Sequence, residues 1–123
     1  MSTPDLDIAQ QFLSAFEDAL RTGDLETVAA LLAPDVECVM PQRPLHGVDA
    51  LIGELSRARP TERFEIEFEN GEWKILGNGR FSCEILALYR SKVSDDLSYS
   101  RDRSFELTIS AGKVSRLEMR FAN

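Results

Sequence analysis

The amino-acid sequence predicts an α+β domain in which three helices in the first half of the chain pack against a strongly curved, mostly antiparallel sheet. Apolar residues recur at three- and four-residue steps in the first half, and they alternate with polar residues in the second half. The length of 123 residues suits one hydrophobic core. We therefore treat residues 1–123 as a single domain.

Three amphipathic segments predict the helices. The apolar stripe of the first segment includes Phe12 and Phe16, which we expect to point inward. Asp24 is a candidate cap for the second helix, which Pro34 is expected to end. A third stripe predicts a helix from about Val48 to Ala58.

The remaining segments predict strands. Val36–Met40 indicates a short strand, because β-branched and apolar residues stand between two prolines, and a proline-rich loop follows it. The second half of the chain predicts four long antiparallel strands, with turns at 77–79 and at Ala111–Gly112. Gly71 fits either a bulge or a hairpin turn, and we expect the bulge. A sheet of this kind must curl around the helices to bury its apolar face, which predicts a cone with a pocket inside.

The charge and hydropathy of the chain exclude several partners. The formal net charge of −7 repels phosphate backbones, and no long Lys/Arg cluster interrupts that field. No apolar run approaches the roughly 20 residues of a membrane span, and the amino terminus lacks the regions of a signal peptide. We expect a cytoplasmic protein with no nucleic-acid or membrane partner.

The cysteines and the histidine do not indicate a metal or cofactor. Cys38 and Cys83 lie in predicted strands without a paired-cysteine motif, so two buried thiols are expected rather than a disulfide or a metal site. His46 is the single histidine and cannot build a zinc site alone. The sequence also contains no phosphate-binding glycine loop and no nucleophile elbow.

Two stretches of the chain, one near each end, carry a family resemblance. The first is ALRTGDLETVAALLAPDVECVMPQRPLHGVDALIGEL, in which a Gly-Asp pair joins two helices, and the second is SFELTISAGKVSRLEMRFAN, with the Gly of a final hairpin. Together they resemble the SnoaL-like, or nuclear transport factor 2-like, superfamily of ketosteroid isomerases, polyketide cyclases and limonene epoxide hydrolases. The resemblance implies a cystatin-like cone.

The resemblance also implies where catalytic groups would lie. In the isomerases an Asp at the end of the first strand takes a proton, and a Tyr on the first helix stabilises the enolate. Alignment places Met40 and Phe16 at those positions. Cyclases and epoxide hydrolases use an acid on the last strand, where this chain has Met119. The family's usual acid–base groups are therefore expected to be absent.

The inward positions predict either an apolar pocket for a small ligand or a fully packed core. Tyr89 and Arg103 are candidates to hold a ligand oxygen or carboxylate at the mouth. His46 is placed at the entrance, either as a solvated loop residue or as an acid–base group. The candidate ligand-binding residues are Phe12, Phe16, Met40, Leu55, Tyr89, Arg103, Met119 and Phe121.

Three functions remain open from the sequence. The leading hypothesis is a protein that binds a small, mainly apolar molecule without a cofactor. The second is an isomerase, cyclase or hydrolase acting on a polyketide-, steroid- or terpene-like substrate through His46, Tyr89 or Arg103. The third is a protein-interaction module. Leu86 and Leu88, on the outer face of the sheet, favour a homodimer through that face.

Overall fold

Three helices and six strands form the part of the chain that the computed structural model describes, which is residues 4–58, 64–94 and 96–121. Helix α1 spans Pro4–Thr22, α2 spans Glu26–Leu31 and α3 spans Val48–Ala58. The strands are β1 (Leu32–Val39), β2 (Pro44–His46), β3 (Phe64–Gly77), β4 (Arg80–Ser91), β5 (Leu97–Ser110) and β6 (Lys113–Phe121).

The strands form one curved sheet in the order β2-β1-β6-β5-β4-β3. Strands β1 and β6 are parallel, and every other neighbouring pair is antiparallel. The helices pack on the inner face, and their buried side chains join those of the strands in a single apolar core. The α+β fold with a mostly antiparallel, strongly curved sheet is therefore confirmed.

Local geometry confirms two predictions about the long strands. The register between β3 and β4 shifts between Asn70 and Trp73, so Gly71 lies in a bulge and not in a hairpin turn. A Cβ at Gly71 would stand 3.0 Å from the carbonyl oxygen of Glu84, which explains why a glycine fits there. The expected turn at 77–79 joins β3 to β4, and Asn78 has φ of 57°.

Helix α2 and strand β1 differ from prediction at their junction. The residue before α2 is Leu25 and makes no capping hydrogen bond, while Asp24 accepts a bond from the Thr27 hydroxyl at 3.0 Å. The helix ends at Leu31, and β1 already begins at Leu32, so the predicted strand start at Val36 was wrong. Pro34 is tolerated inside β1 because β2 pairs only with the last three residues of β1 and the register to β6 shifts around the proline.

The proline-rich loop contains a strand that the sequence did not predict. Residues Pro44–His46 pair antiparallel with the end of β1, and Glu37 faces His46 in the register. The N–H of Gly47 then donates to the carbonyl oxygen of Val36 at 2.8 Å, which ties the start of α3 to β1. Helix α3 itself spans Val48–Ala58 as predicted.

The outer face of the sheet does not expose the two leucines from which a homodimer was expected. Leu88 is 5% exposed, and Leu86 is half-buried. In the register Leu88 lies between Glu67 and Ser100, within the same chain. These two positions therefore offer little exposed apolar surface, and a homodimer through this face stays a prediction.

The two cysteines are free and buried, as predicted. Burial raises the pKa of the Cys38 thiol from 9.0 to about 11 and raises that of Cys83 as well, so both side chains remain protonated at neutral pH. None of the described helices is both long and apolar enough to cross a membrane.

Candidate functional site

A cavity of about 550 Å³ lies inside the cone and opens to solvent. One wall is the inner face of strands β3 to β6, and the opposite wall consists of α1, α3 and the loop between β1 and β2. Every second residue of a strand points to the same face, so the alternation seen in the sequence determines which side chains enter the cavity.

The floor of the cavity is aromatic and apolar. Phe16 of α1 and Phe68 of β3 line it, with ring centroids 6.3 Å apart. The ring of Phe105, which is fully buried in the core, lies 5.3 Å from that of Phe16. The N–H of Phe68 donates to a carboxylate oxygen of Glu17 at 2.7 Å, which ties α1 to the edge strand β3. Met119 of β6 faces Phe105 in the register and adds a thioether to this floor.

A cluster of polar and aromatic side chains forms the wall near the mouth. The Arg103 guanidinium donates to the Tyr89 hydroxyl at 3.3 Å, and its central carbon lies 4.9 Å from the ring centroid of Phe121. The Tyr89 ring stacks on Tyr99 at 4.3 Å with an interplanar angle of 12°. Arg101 lies 5.7 Å from the Tyr99 ring. We call these five side chains the arginine–tyrosine wall.

The opposite rim carries the single carboxylate among the described lining residues. Arg57 and Arg43 each place a guanidinium nitrogen 2.9 Å from the same oxygen of Glu54. These hydrogen bonds, that of Arg57 first, lower the pKa of the Glu54 carboxyl below its usual value. Glu54 is therefore ionised and weakly basic, which makes it a poor proton acceptor.

The described lining carries an excess of positive charge. It contains four guanidinium groups, those of Arg43, Arg57, Arg101 and Arg103, against the one carboxylate of Glu54. The whole chain has the opposite sign, with a formal net charge of −7. A positive cleft in an acidic protein attracts anions, because partly enclosed charges are screened less than those on open surface.

Seven of the eight pocket candidates predicted from the sequence line this cavity: Phe16, Met40, Leu55, Tyr89, Arg103, Met119 and Phe121. Phe12 does not line it. It is fully buried in the core, with its ring centroid 5.9 Å from that of Phe16. His46 is exposed on β2 and is also absent from the lining.

Several residues that line the cavity were not predicted from the sequence. Tyr99 and Arg101 share the strand parity of Arg103, which was a usable signal. Arg43 and Glu54 approach each other across a loop and a helix, and no sequence pattern marks that contact. Met40, Phe16 and Met119 occupy the cavity where the resemblance implies catalytic groups, and none of these side chains exchanges a proton. Among the described residues no cluster of three or more His, Cys, Asp or Glu side chains could hold a metal ion.

The fold and the cavity define a cone-shaped α+β protein with an internal pocket. The family model of the SnoaL-like domain matches residues 13–79, which is more than half of the chain. The chain therefore belongs to the SnoaL-like domain family. No curated protein matches it in sequence.

Solved structures of nuclear transport factor 2-like proteins are similar to this chain. A protein of this kind from Burkholderia xenovorans LB400 is 26% identical, with 99% of this chain and 92% of that chain covered and a TM-score of 0.71. One from Anabaena variabilis ATCC 29413 is 14% identical, with 100% and 95% covered and a TM-score of 0.82. Another solved structure, that of TerC co-crystallised with polyporic acid, is 17% identical to this chain, with 98% of this chain and 92% of that chain covered and a TM-score of 0.73.

Proposed function

We propose that this protein binds a small, mainly apolar molecule inside its cone. The observation that carries the proposal is the open cavity of about 550 Å³, with an aromatic floor and a few polar groups gathered near its mouth. This is the usual composition of a small-molecule site, in which apolar side chains supply burial and a few polar groups fix orientation. TerC, which has the same fold, was co-crystallised with polyporic acid, and this supports a ligand-binding role.

An enzyme acting on a polyketide-, steroid- or terpene-like substrate is the second candidate. The contact between Arg103 and Tyr89 favours it, because such a pair can stabilise negative charge that develops on a substrate oxygen. Against this candidate, the described lining residues supply no free proton acceptor, because Glu54 is held by two arginines and His46 lies outside the lining. Turnover with a pH profile that reports an essential base would favour the enzyme over the binder.

The remaining expectations from the sequence stay predictions. A cytoplasmic location is part of this proposal. Analytical ultracentrifugation tests the predicted homodimer through the outer sheet face. Leu86 and Leu88 offer little exposed surface for such an interface.

Binding of a neutral fluorescent probe tests the proposed function. N-phenylnaphthylamine carries no charge at neutral pH and becomes fluorescent in an apolar site, so we expect saturable enhancement with the native protein. Met40 lines the cavity and is half-buried, so Met40→Trp places a large ring where the probe would bind. We expect the affinity for the probe to fall by about tenfold or more. Val93→Trp is the matched control, because Val93 is 92% exposed and does not line the cavity.

Two results would contradict the proposed function. One is the absence of saturable enhancement with the native protein. The other is equal affinity in Met40→Trp and Val93→Trp, which would place the probe outside the cone. Circular dichroism of each variant distinguishes loss of the site from loss of the fold.

A further inference from the structure

We infer that the ligand of this cavity is an aromatic anion, whose carboxylate or ionised enol oxygen is bound by Arg103 and Tyr89 while its ring packs on the aromatic floor. The inference rests on the proposed function and narrows it to a class of compound. Three features of the described residues carry it: charge, unused donors and ring geometry.

The first feature is that the two arginines of the wall form no ion pair with an acidic side chain among the described residues. Arg101 and Arg103 take part in none of the ion pairs among the described residues. Arg103 is nevertheless half-buried, and a partly buried guanidinium without a counter-charge loses hydration that a carboxylate can replace. A bound anion would supply the missing partner.

The second feature is that Arg103 retains hydrogen-bond donors. Its described contacts are one bond to the Tyr89 hydroxyl at 3.3 Å and a weak contact to the Met119 sulfur at 3.9 Å. A guanidinium offers five N–H donors in a rigid fork, so several remain without a partner among the described residues. Packing against Phe121 at 4.9 Å restrains the guanidinium, and this preorganises the remaining donors for a two-oxygen acceptor.

The third feature is the arrangement of the rings. Tyr89 and Tyr99 stack nearly parallel, and Phe64 meets Tyr99 edge-on at 5.9 Å. Met119, on the floor, lies next to Arg103 across the sheet. A flat ring can therefore lie against the floor while its acidic substituent reaches the arginine–tyrosine wall, and aromatic faces pack favourably with such rings.

Matched pairs of an acid and its neutral isostere test the inference by isothermal titration calorimetry. Naphthoate is compared with naphthamide, and hydroxynaphthoquinone, an acidic enol, is compared with methoxynaphthoquinone. At low salt we expect at least one acid of the two pairs to bind about tenfold or more tightly than its neutral partner. A preference for the acid in the naphthoate pair indicates that a carboxylate is bound, and a preference in the hydroxynaphthoquinone pair indicates an ionised enol. Added salt should weaken acid binding and leave neutral binding unchanged.

Variants of the wall residues test which side chains cause the preference for the acid over its neutral partner. Arg103→Met should abolish it, Tyr89→Phe should reduce it, and Arg101→Met, at an exposed position, should reduce it without endangering the fold. Arg120→Met is the matched control, since it changes the net charge by the same amount on the outer face of the sheet, where Arg120 pairs with Glu118. The control should keep the full preference for the acid.

The outcomes separate this inference from the proposed function. Equal affinity for acid and neutral partner in both pairs, or a preference that Arg120→Met lowers as much as Arg101→Met and Arg103→Met do, overturns the anion inference and leaves the binding function standing. Failure of all four compounds to bind also overturns the inference. The proposed function fails only by one of the two results given above for the neutral N-phenylnaphthylamine: no saturable signal, or equal affinity in Met40→Trp and Val93→Trp.

Discussion

Cys38 shows how the core constrains a single residue. Its side chain is 1% exposed, and burial raises the pKa of the thiol from 9.0 to about 11. In the unfolded chain the thiol would ionise at its ordinary pKa. Between pH 9 and pH 11 the unfolded state therefore releases a proton that the folded state retains, so stability is present below pH 9 and is lost as the pH rises through this window.

We predict that the free energy of unfolding falls less steeply with pH in Cys38→Ala than in the native protein. A pKa difference of this size corresponds to about 2–3 kcal/mol at most. Urea unfolding at pH 8 and at pH 10.5 measures the decrease for each protein. The comparison uses the change with pH, because the lost sulfur also lowers stability at every pH. An identical decrease in both proteins would contradict the prediction.

Strand parity explains which site residues the sequence could predict. Arg103 and Tyr89 were placed at the mouth because they alternate in step with apolar neighbours on their strands. Phe12 fits the helical stripe equally well, yet it lies in the packed core. Periodicity predicts which face of a helix is buried, but not how deep along the cone a residue lies. The contact of Glu54 with Arg43 depends on how a loop meets a helix, which no local pattern encodes.

The β3–β4 hairpin shows how an element can depend on one close contact. Its turn residue Gly79 has φ of 74°, and its carbonyl oxygen accepts a hydrogen bond from the N–H of Ile109 at 2.8 Å. A Cβ at Gly79 would stand only 2.5 Å from the carbonyl oxygen of Ile109. Gly77, at the other side of the turn, has φ of 90° but nothing within 4 Å of such a Cβ.

We predict that Gly79→Ala is clearly more destabilising than Gly77→Ala. Both variants place an alanine in the left-handed region, at a cost of about 1–2 kcal/mol. Gly79→Ala must also separate the hairpin from β5, which adds about 1–3 kcal/mol of steric strain. Urea denaturation of the two variants measures the difference. Equal destabilisation would mean that the approach to Ile109 is not a constraint on the hairpin.

Elements with long periodic patterns were predicted well, and short elements were not. Helix α3 spans the predicted residues because an apolar stripe defines it over three turns. Strand β2 has three residues within a proline-rich segment, so its pairing with β1 is tertiary and leaves no alternation to detect. The start of β1 was missed because Pro34 signals a break, whereas the strand accommodates the proline where β2 does not pair and the register to β6 shifts.

At the scale of the whole molecule, charge is segregated between the surface and the cone. The chain has a formal net charge of −7, yet the described cavity lining has more guanidinium than carboxylate groups. Composition alone predicts an acidic protein that repels anions. Only the folded arrangement brings four guanidinium groups, most of them exposed, together around the cavity, and net charge alone does not indicate it.

The cone and its apolar lining followed from sequence because one curved sheet with an amphipathic pattern has few ways to bury its inner face. The sequence did not predict whether the interior is open or fully packed. That distinction depends on how α3 and the β1–β2 loop stand away from the sheet, which is set by contacts between distant residues.

Ligand binding in the cone is tested most directly by nuclear magnetic resonance of the methionine methyl groups during titration with N-phenylnaphthylamine. Met40 and Met119 line the cavity from opposite walls, and Met40→Leu and Met119→Leu identify their signals. Trp73, the single tryptophan, does not line it and supplies a control indole signal. We predict that both methyl signals shift with one common Kd while the indole signal stays unchanged. Two methyl signals that stay unmoved at saturating N-phenylnaphthylamine would contradict ligand binding in the cone.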